Sequence, residues 1–244
     1  MSSSIKIVPR RSDERGHADH DWLKTFHTFS FAMYQDSEHD HYGSLRVINE
    51  DRVAPHTGFG THGHREFEIF SYIVAGELRH NDSMGNVEIL KRGDIQMTSA
   101  GTGIRHSEHA NAESHSQYFT RHFSDAEKKD KFVRVVAPAN SEGVEEKREA
   151  SGPAPVHSPL SLYASLLSPS TKLSHTLANR KAYIHVVQTS GYNPSKATGN
   201  AIKVNGDVEL KEGDGAYIAG DVGSQLSVEN IGGGVAEVLL FDLE

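Results

Sequence analysis

Short apolar runs separated by polar turns set the texture of this chain. The segments "SLRVINE" (44–50), "FEIFSYIVAG" (67–76), "VEIL" (87–90) and "DIQMTS" (94–99) are each a few residues long and apolar or alternating. Gly, Asn and Asp cluster between them, and "RHNDSMGN" (79–86) and "KRGD" (91–94) read as turns joining strands. Helical periodicity is confined to "FSDAEKKDKFV" (123–133), where Ser124 stands at the position that caps a short helix. Regularly spaced strands with so little helix predict an all-β protein, a barrel or a sandwich.

The pattern recurs along the chain. "VEILKRGDIQMTSAG" (87–101) and "VELKEGDGAYIAGD" (208–221) each give a strand, a charged Gly-Asp turn and a second strand. "YIVAGELRHND" (72–82) and "YIHVVQTSGYN" (183–193) stand before them as the preceding element of each copy. Two copies of one β unit imply a duplicated barrel, although a Gly-Asp hairpin turn alone is common. Between the copies, "APANSEGVEEKREASGPAPVHSP" (137–159) is rich in Pro, Gly, Ser and charge and reads as a linker or surface loop. The expected organisation is an N-terminal barrel over 1–136, a linker over 137–159 and a C-terminal barrel over 160–244.

Composition narrows the classes of function. The formal charge of −8 argues against direct contact with nucleic acid or an anionic membrane. Arg10 and Arg11 are followed at once by Ser12, Asp13 and Glu14, and Lys128, Lys129 and Lys131 are interrupted by Asp130, a solvated face. There is no cysteine, which excludes disulfides, thiolate zinc sites, iron–sulfur clusters and cysteine nucleophiles. The start, "MSSSIKI" (1–7), has no apolar stretch of signal-peptide length and no run is long enough to span a bilayer, so a cytoplasmic or nuclear location is expected. The Asn81-Asp82-Ser83 sequon carries no meaning without secretion. Sixteen histidines are the one anomaly, and they direct attention to metal binding.

Strand residues at i and i+2 share a face. In "THGHREFEIFSYIVAGE" (61–77), His62 and His64 therefore point the same way if the segment is extended. "AGTGIRHSEHA" (100–110) supplies a second such pair, His106 and Glu108. Two pairs on facing strands bring three imidazoles and a carboxylate to one centre, a set suited to a divalent first-row metal with open positions. Glu66 and Glu68 share the parity of His62 and His64, so either is an alternative carboxylate, although acids on a solvated strand face are commoner. His39 and His41 form another pair, in the polar stretch "DSEHDHYG" that reads as loop. His175 and His185, ten apart, read as packing or surface residues, and the C-terminal copy offers no second ligand set. One metal per chain is expected.

The segments "GFGTHGHREFEIFSYIVAGELRHNDSMGN" (58–86) and "GDIQMTSAGTGIRHSEH" (93–109) closely resemble the pirin family, members of the cupin superfamily with two β-barrels. "RRSDERGHADHDWLKTFHTFSFAMYQD", "LRVINEDRVAPHTGFG" and "AEVLLFDL" extend the resemblance over nearly the whole chain. It implies a bicupin with metal ligands at His62, His64, His106 and Glu108, with Glu66 and Glu68 as neighbours of the site, and Fe(II) as the metal, other first-row metals also suiting the set. One departure stands out. Chains of this type continue after the His/Glu pair with a strand resembling "VHFLQIW" and a loop, whereas here "ESHSQ" (113–117) runs directly into Tyr118. The first barrel is therefore expected to lack a strand, which exposes an edge beside the ligands.

The resemblance implies quercetin 2,3-dioxygenase activity, with Glu108 as catalytic base and a small aromatic, flavonol-like substrate. It also resembles an iron-dependent transcriptional co-regulator that acts through a protein partner, which the acidic balance favours over DNA contact. A metal-free relic with a broken first barrel is the third expectation.

Overall fold

The computed structural model describes residues 5–59, 62–64, 67–81, 87–99, 104–106, 117–148 and 150–244, with backbone alone at 62–64, 80, 81, 87, 104–106, 117 and 118. The chain begins with β1 (Lys6–Arg10), a 3-10 turn at Ser12–Glu14, β2 (Gly16–Asp19), β3 (Leu23–His27) and β4 (Asn49–Val53). There follow β5 (His62–His64), β6 (Glu68–Tyr72), β7 (Glu77–Asn81), β8 (Val87–Lys91), β9 (Asp94–Ser99), β10 (Ile104–His106) and β11 (Gln117–His122). A helical turn, α1 (Asp125–Lys128), precedes β12 (Val133–Pro138) and β13 (Ala154–Val156). The remainder holds β14 (Leu160–Leu167), β15 (Lys172–Thr176), β16 (Lys181–Val186) and β17 (Ala201–Val204). It ends with β18 (Val208–Lys211), β19 (Gly215–Ala219), β20 (Gln225–Asn230) and β21 (Ala236–Leu243). The protein is all-β, as the alternation predicts.

The helix is shorter than the run 123–133 suggests. Asp130 takes a left-handed φ of 54°. Its N–H donates to Leu166 O, and its carboxylate accepts from the N–H and hydroxyl of Ser168. These contacts turn the chain out of the helix after one turn.

Residues cluster into two compact units. A C-terminal unit comprises Met1–Arg52, Ala126–Val133 and Pro159–Glu244; a middle unit comprises Val53–Asp125 and Arg134–Ser158. Within 137–159, the span expected as a linker, Ala154–Val156 forms β13, which runs parallel to β12.

The C-terminal unit packs one sheet, with the order β1-β19-β16-β21-β14, against a second, β15-β20-β17-β18. Alternate residues of the first sheet, Ile184 on β16, Ile218 on β19 and Leu240 on β21 among them, meet Ile202, Leu226 and Val228 of the second, all fully buried. Period-two alternation supplies this apolar layer. The core is dry.

The duplicated hairpin is built alike in both units. Lys91 N–H donates to Asp94 Oδ2 at 2.6 Å, and Lys211 N–H to Asp214 Oδ2 at 3.0 Å. Gly93 and Gly213 lie between, at φ of 88° and 89°, where a side chain is strained. Gly93 exchanges main-chain bonds with the Ile73 strand, N to Ile73 O at 2.9 Å and Ile73 N to Asp94 O at 3.0 Å. Gly213 and Asp214 do the same with Val186, at 2.7 and 2.9 Å. Ile73 is therefore the counterpart of Val186, and Tyr72 of His185. The alignment of "YIVAG" with "YIHVV" that the sequence suggests is two residues out of register. An even slip preserves the face, so the pattern alone does not reveal it.

The third strand of each sheet completes the equivalence. Arg121 of β11 pairs with Ile95, as Arg10 of β1 pairs with Gly215. The C-terminal unit thus takes β1 from the start of the chain. Asp214 holds that arm by accepting from Ser12 N at 2.8 Å and Arg11 Nη1 at 3.1 Å. Arg15 Nη1 donates to Gly213 O at 3.0 Å and to Glu50 Oε2 at 2.7 Å. Glu50 also lies 3.0 Å from His185 Nε2 and accepts from Gln188 N at 2.9 Å.

Burial alone raises the Glu50 carboxyl, but His185, Arg15 and the Gln188 N–H outweigh it and hold the group well below its ordinary value of 4.5. A lowered carboxyl stabilises the fold above its unfolded value and loses that contribution as the pH falls through the folded one. Glu50→Gln should cost about 3 kcal/mol at pH 7, because it leaves the buried Arg15 without its charge partner. Chemical denaturation should show the gap between variant and wild type narrowing as the pH falls below about 4.5; a gap independent of pH would count against this pairing.

Candidate metal centre

β5 and β10 form an antiparallel ladder in which Ile104 opposes His64, Arg105 opposes Gly63 and His106 opposes His62. Directly opposed residues share a face, as do residues two apart. Positions 62, 64 and 106 therefore lie together on one face of this ribbon, joined by two segments far apart in sequence. Glu108 and Glu66 lie outside the described residues, as do the side chains of His62, His64 and His106. Among the described residues, no group of three His, Asp or Glu side chains is placed to hold a metal ion.

The remaining histidine and carboxylate candidates are occupied elsewhere. The Glu68 carboxylate accepts from His157 N at 2.8 Å and Ser158 N at 3.1 Å, and lies 2.9 Å from His157 Nδ1. It binds the end of the 137–158 segment to β6. His39 Nδ1 lies 2.8 Å from the Tyr217 hydroxyl, its ring stacked at 5.6 Å, while His41 is exposed beside Asp40. His175 Nε2 meets Asp242 Oδ2 at 2.9 Å, with the Tyr163 ring edge-on at 4.6 Å. His185 pairs with Glu50, as above. Both are packing residues.

The C-terminal ladder equivalent to β5–β10 is β15–β20, in which Leu173 opposes Val228 and His175 opposes Leu226. Three of these four enter or border the apolar core. Where the middle unit places positions 62, 64 and 106 on one face, the C-terminal ladder carries mostly aliphatic residues.

β6 differs from its counterpart. β16 lies between β19 and β21, and Ala182 to Val186 are buried throughout. Among the described residues, β6 is the last strand of the three-stranded sheet β11-β9-β6, and its residues are partly exposed. The stretch corresponding in order to β21, residues 107–116, lies outside the described residues, and with it falls the strand whose absence the sequence suggests.

Sequence reasoning passed over a polar set on β8, β9 and β11. Glu88 Oε2 accepts from Thr120 Oγ1 at 2.9 Å and from Gln96 Nε2 at 3.3 Å. The alternation of "DIQMTS" was a usable signal, since it puts Gln96 and Thr98 on one face and Ile95 and Met97 on the other. Burial of both faces was not legible.

Sheets with this double hairpin, and a histidine ribbon beside one of them, define an all-β protein of two cupin-type units. The Pirin family model matches residues 9–122. A quercetin 2,3-dioxygenase of Escherichia coli K12 is 35% identical over 243 residues, covering 97% of this chain and 98% of that protein. The crystal structure of YhhW from Escherichia coli superposes with a TM-score of 0.77 at 33% identity, covering 98% of each chain. A second structure, of bacterial pirin YhhW in complex with nickel(II), gives 0.76 at 33% identity, covering 98% of this chain and 99% of that one. The chain belongs to the pirin family.

Glu68→Gln should leave the metal content of purified protein unchanged while lowering stability by about 1 kcal/mol and loosening residues 157–158 in hydrogen exchange. Loss of bound metal in this variant would return Glu68 to the ligand set.

Proposed function

We propose that the protein is a metal-dependent dioxygenase of the quercetin 2,3-dioxygenase type, with one divalent ion held by His62, His64, His106 and Glu108. The observation that carries this reading is the β5–β10 register, which brings positions 62, 64 and 106 to one face from two distant segments. The activity named for the Escherichia coli relative and the nickel complex of YhhW support it. Three neutral imidazoles and a carboxylate suit Fe(II), and equally nickel and other first-row ions. When bound, the metal supplies Lewis acidity that lowers the pKa of a flavonol 3-hydroxyl and orients the ring.

The chain's own residues do the rest. Glu108 takes the 3-hydroxyl proton as general base, leaving an electron-rich flavonol anion that reacts with molecular oxygen. Both oxygen atoms enter the products as the central ring opens, and one ring carbon leaves as carbon monoxide. The β5–β10 ladder fixes the backbone from which these three residues project, which limits the reorganisation needed on binding. Of the span 1–136 expected as an N-terminal barrel, residues 53–125 and 134–136 fall in the unit that would hold this chemistry, whereas 1–52 and 126–133 fall in the other.

Purified protein with flavonol and oxygen should release one carbon monoxide for each oxygen consumed. His62→Ala should abolish metal binding and lower the rate beyond the roughly 100-fold that loss of an outer hydrogen-bond partner costs. Glu108→Gln should lower it by about 100-fold or more, with loss of the acidic limb of the pH profile. Carbon monoxide release that survives His62→Ala would remove the proposal. Bound metal without oxygen uptake, together with a redox-dependent affinity for a protein partner, would replace it with the co-regulator.

A further inference from the structure

The middle unit places polar side chains at positions where the C-terminal unit is apolar. Gln96 and Thr98 on β9 are 5% and 4% exposed. By the hairpin register their counterparts are Ala216 and Ile218, fully buried in the C-terminal core. Glu88 on β8 corresponds to Val208, which packs against that core, and Thr120 on β11 corresponds to Pro9. In the middle unit Glu88, Gln96 and Thr120 converge, with Glu88 Oε2 accepting from both Thr120 Oγ1 and Gln96 Nε2.

Packing does not account for the exchange. Each hydrogen bond within a protein yields only a modest net gain, and the half-buried Glu88 carboxylate gives up part of its hydration to make them. The same chain shows that Val, Ala and Pro satisfy this architecture. A polar cluster retained where an apolar one suffices points to recognition, since sequences break local rules mainly at functional sites.

Chemistry narrows what is recognised. Both described donors use Glu88 Oε2, and no described residue donates to Oε1. A carboxylate anchored on one oxygen presents the other to an external donor, and a phenolic hydroxyl is such a donor. In the C-terminal unit the equivalent strands run β15-β20-β17-β18, so β18 stands three strands from β15. Carried over to β5 and β8, three strand spacings amount to about 14 Å between backbones, and side chains reaching inward from both strands leave a gap suited to the part of a flavonol between its 3-oxygen and the hydroxyls of its pendant ring.

We propose that Glu88, positioned by Gln96 and Thr120, receives the hydroxyls on the far ring of the substrate, so that the site selects aromatic substrates hydroxylated at the end remote from the metal. The proposal rests on the dioxygenase reading for the near end of that substrate. Hydrogen-bonding sites of this kind discriminate against analogues that lack the hydroxyl, because the buried acceptor is then left without a partner.

The test compares quercetin with 3,5,7-trihydroxyflavone, which lacks the two far-ring hydroxyls. Anaerobic titration of metal-loaded protein gives the two dissociation constants; oxygen uptake gives the two KM values. Wild type should prefer quercetin by about 10-fold or more. Glu88→Val, which copies the C-terminal unit, should bring the ratio near one at unchanged metal content, and Glu88→Gln should retain an intermediate preference. Equal affinities in wild type, or a preference that survives Glu88→Val in folded protein, would overturn the assignment. Turnover of both flavonols without discrimination sinks it while sparing the dioxygenase reading. Discriminating binding without oxygen uptake does the reverse, and absence of binding to either flavonol removes both.

Discussion

One main-chain device recurs in both units, and the other features are placed by it. A carboxylate three residues after a lysine accepts that lysine's N–H, with a left-handed glycine between them. The turn sets the register of its own two strands and, through the glycine's exchange with Ile73 or Val186, of a third. Side-chain period in a strand is two, so a slip of one residue would move every inward residue outward. Once the turn is fixed, Gln96 and Ala216 occupy one equivalent position and Glu88 and Val208 another. The contrast between the two units follows from that register.

Duplication lets one copy serve as the physical control for the other. The C-terminal copy fills its interior with aliphatic side chains and sets His175 against Asp242 and His185 against Glu50. Burying apolar surface at roughly 25 cal/mol per Å² makes this copy the natural source of stability. The middle copy exchanges part of that burial for the polar side chains of Gln96 and Thr98. Polar groups there need not also supply the stability of the whole fold.

Legibility from sequence followed the range of each interaction. The strands, the Gly-Asp turns and the repeat were readable because each is encoded within about ten consecutive residues. That the segments of His62 and His106 could face one another was readable from spacing, because the parity of each pair is local, whereas their register appears only in the β5–β10 ladder. The two-residue offset between "YIVAG" and "YIHVV" was invisible, since an even slip keeps every face and only the long-range bonds of Gly93 and Gly213 expose it. The helix over 123–133 failed for the same reason: Asp130 is drawn away by Ser168 and Leu166, some forty residues on. Glu88 carried no local signal. Its partners come from two other strands, and its significance appears only against Val208.

Glu68 shows how an acid on the apparent ligand face is separated from the metal set. Its parity matches that of His62 and His64, and parity alone left it an alternative to Glu108. Its carboxylate instead receives two backbone N–H groups and a histidine ring from residues 157–158, which satisfies most of the acceptor capacity of an ionised carboxylate. A group so engaged would have to give up these bonds before it could coordinate a cation, and the ordered end of the 137–158 segment with them. Glu68 is thus better explained by its hold on the backbone of residues 157–158 than by a place among metal ligands.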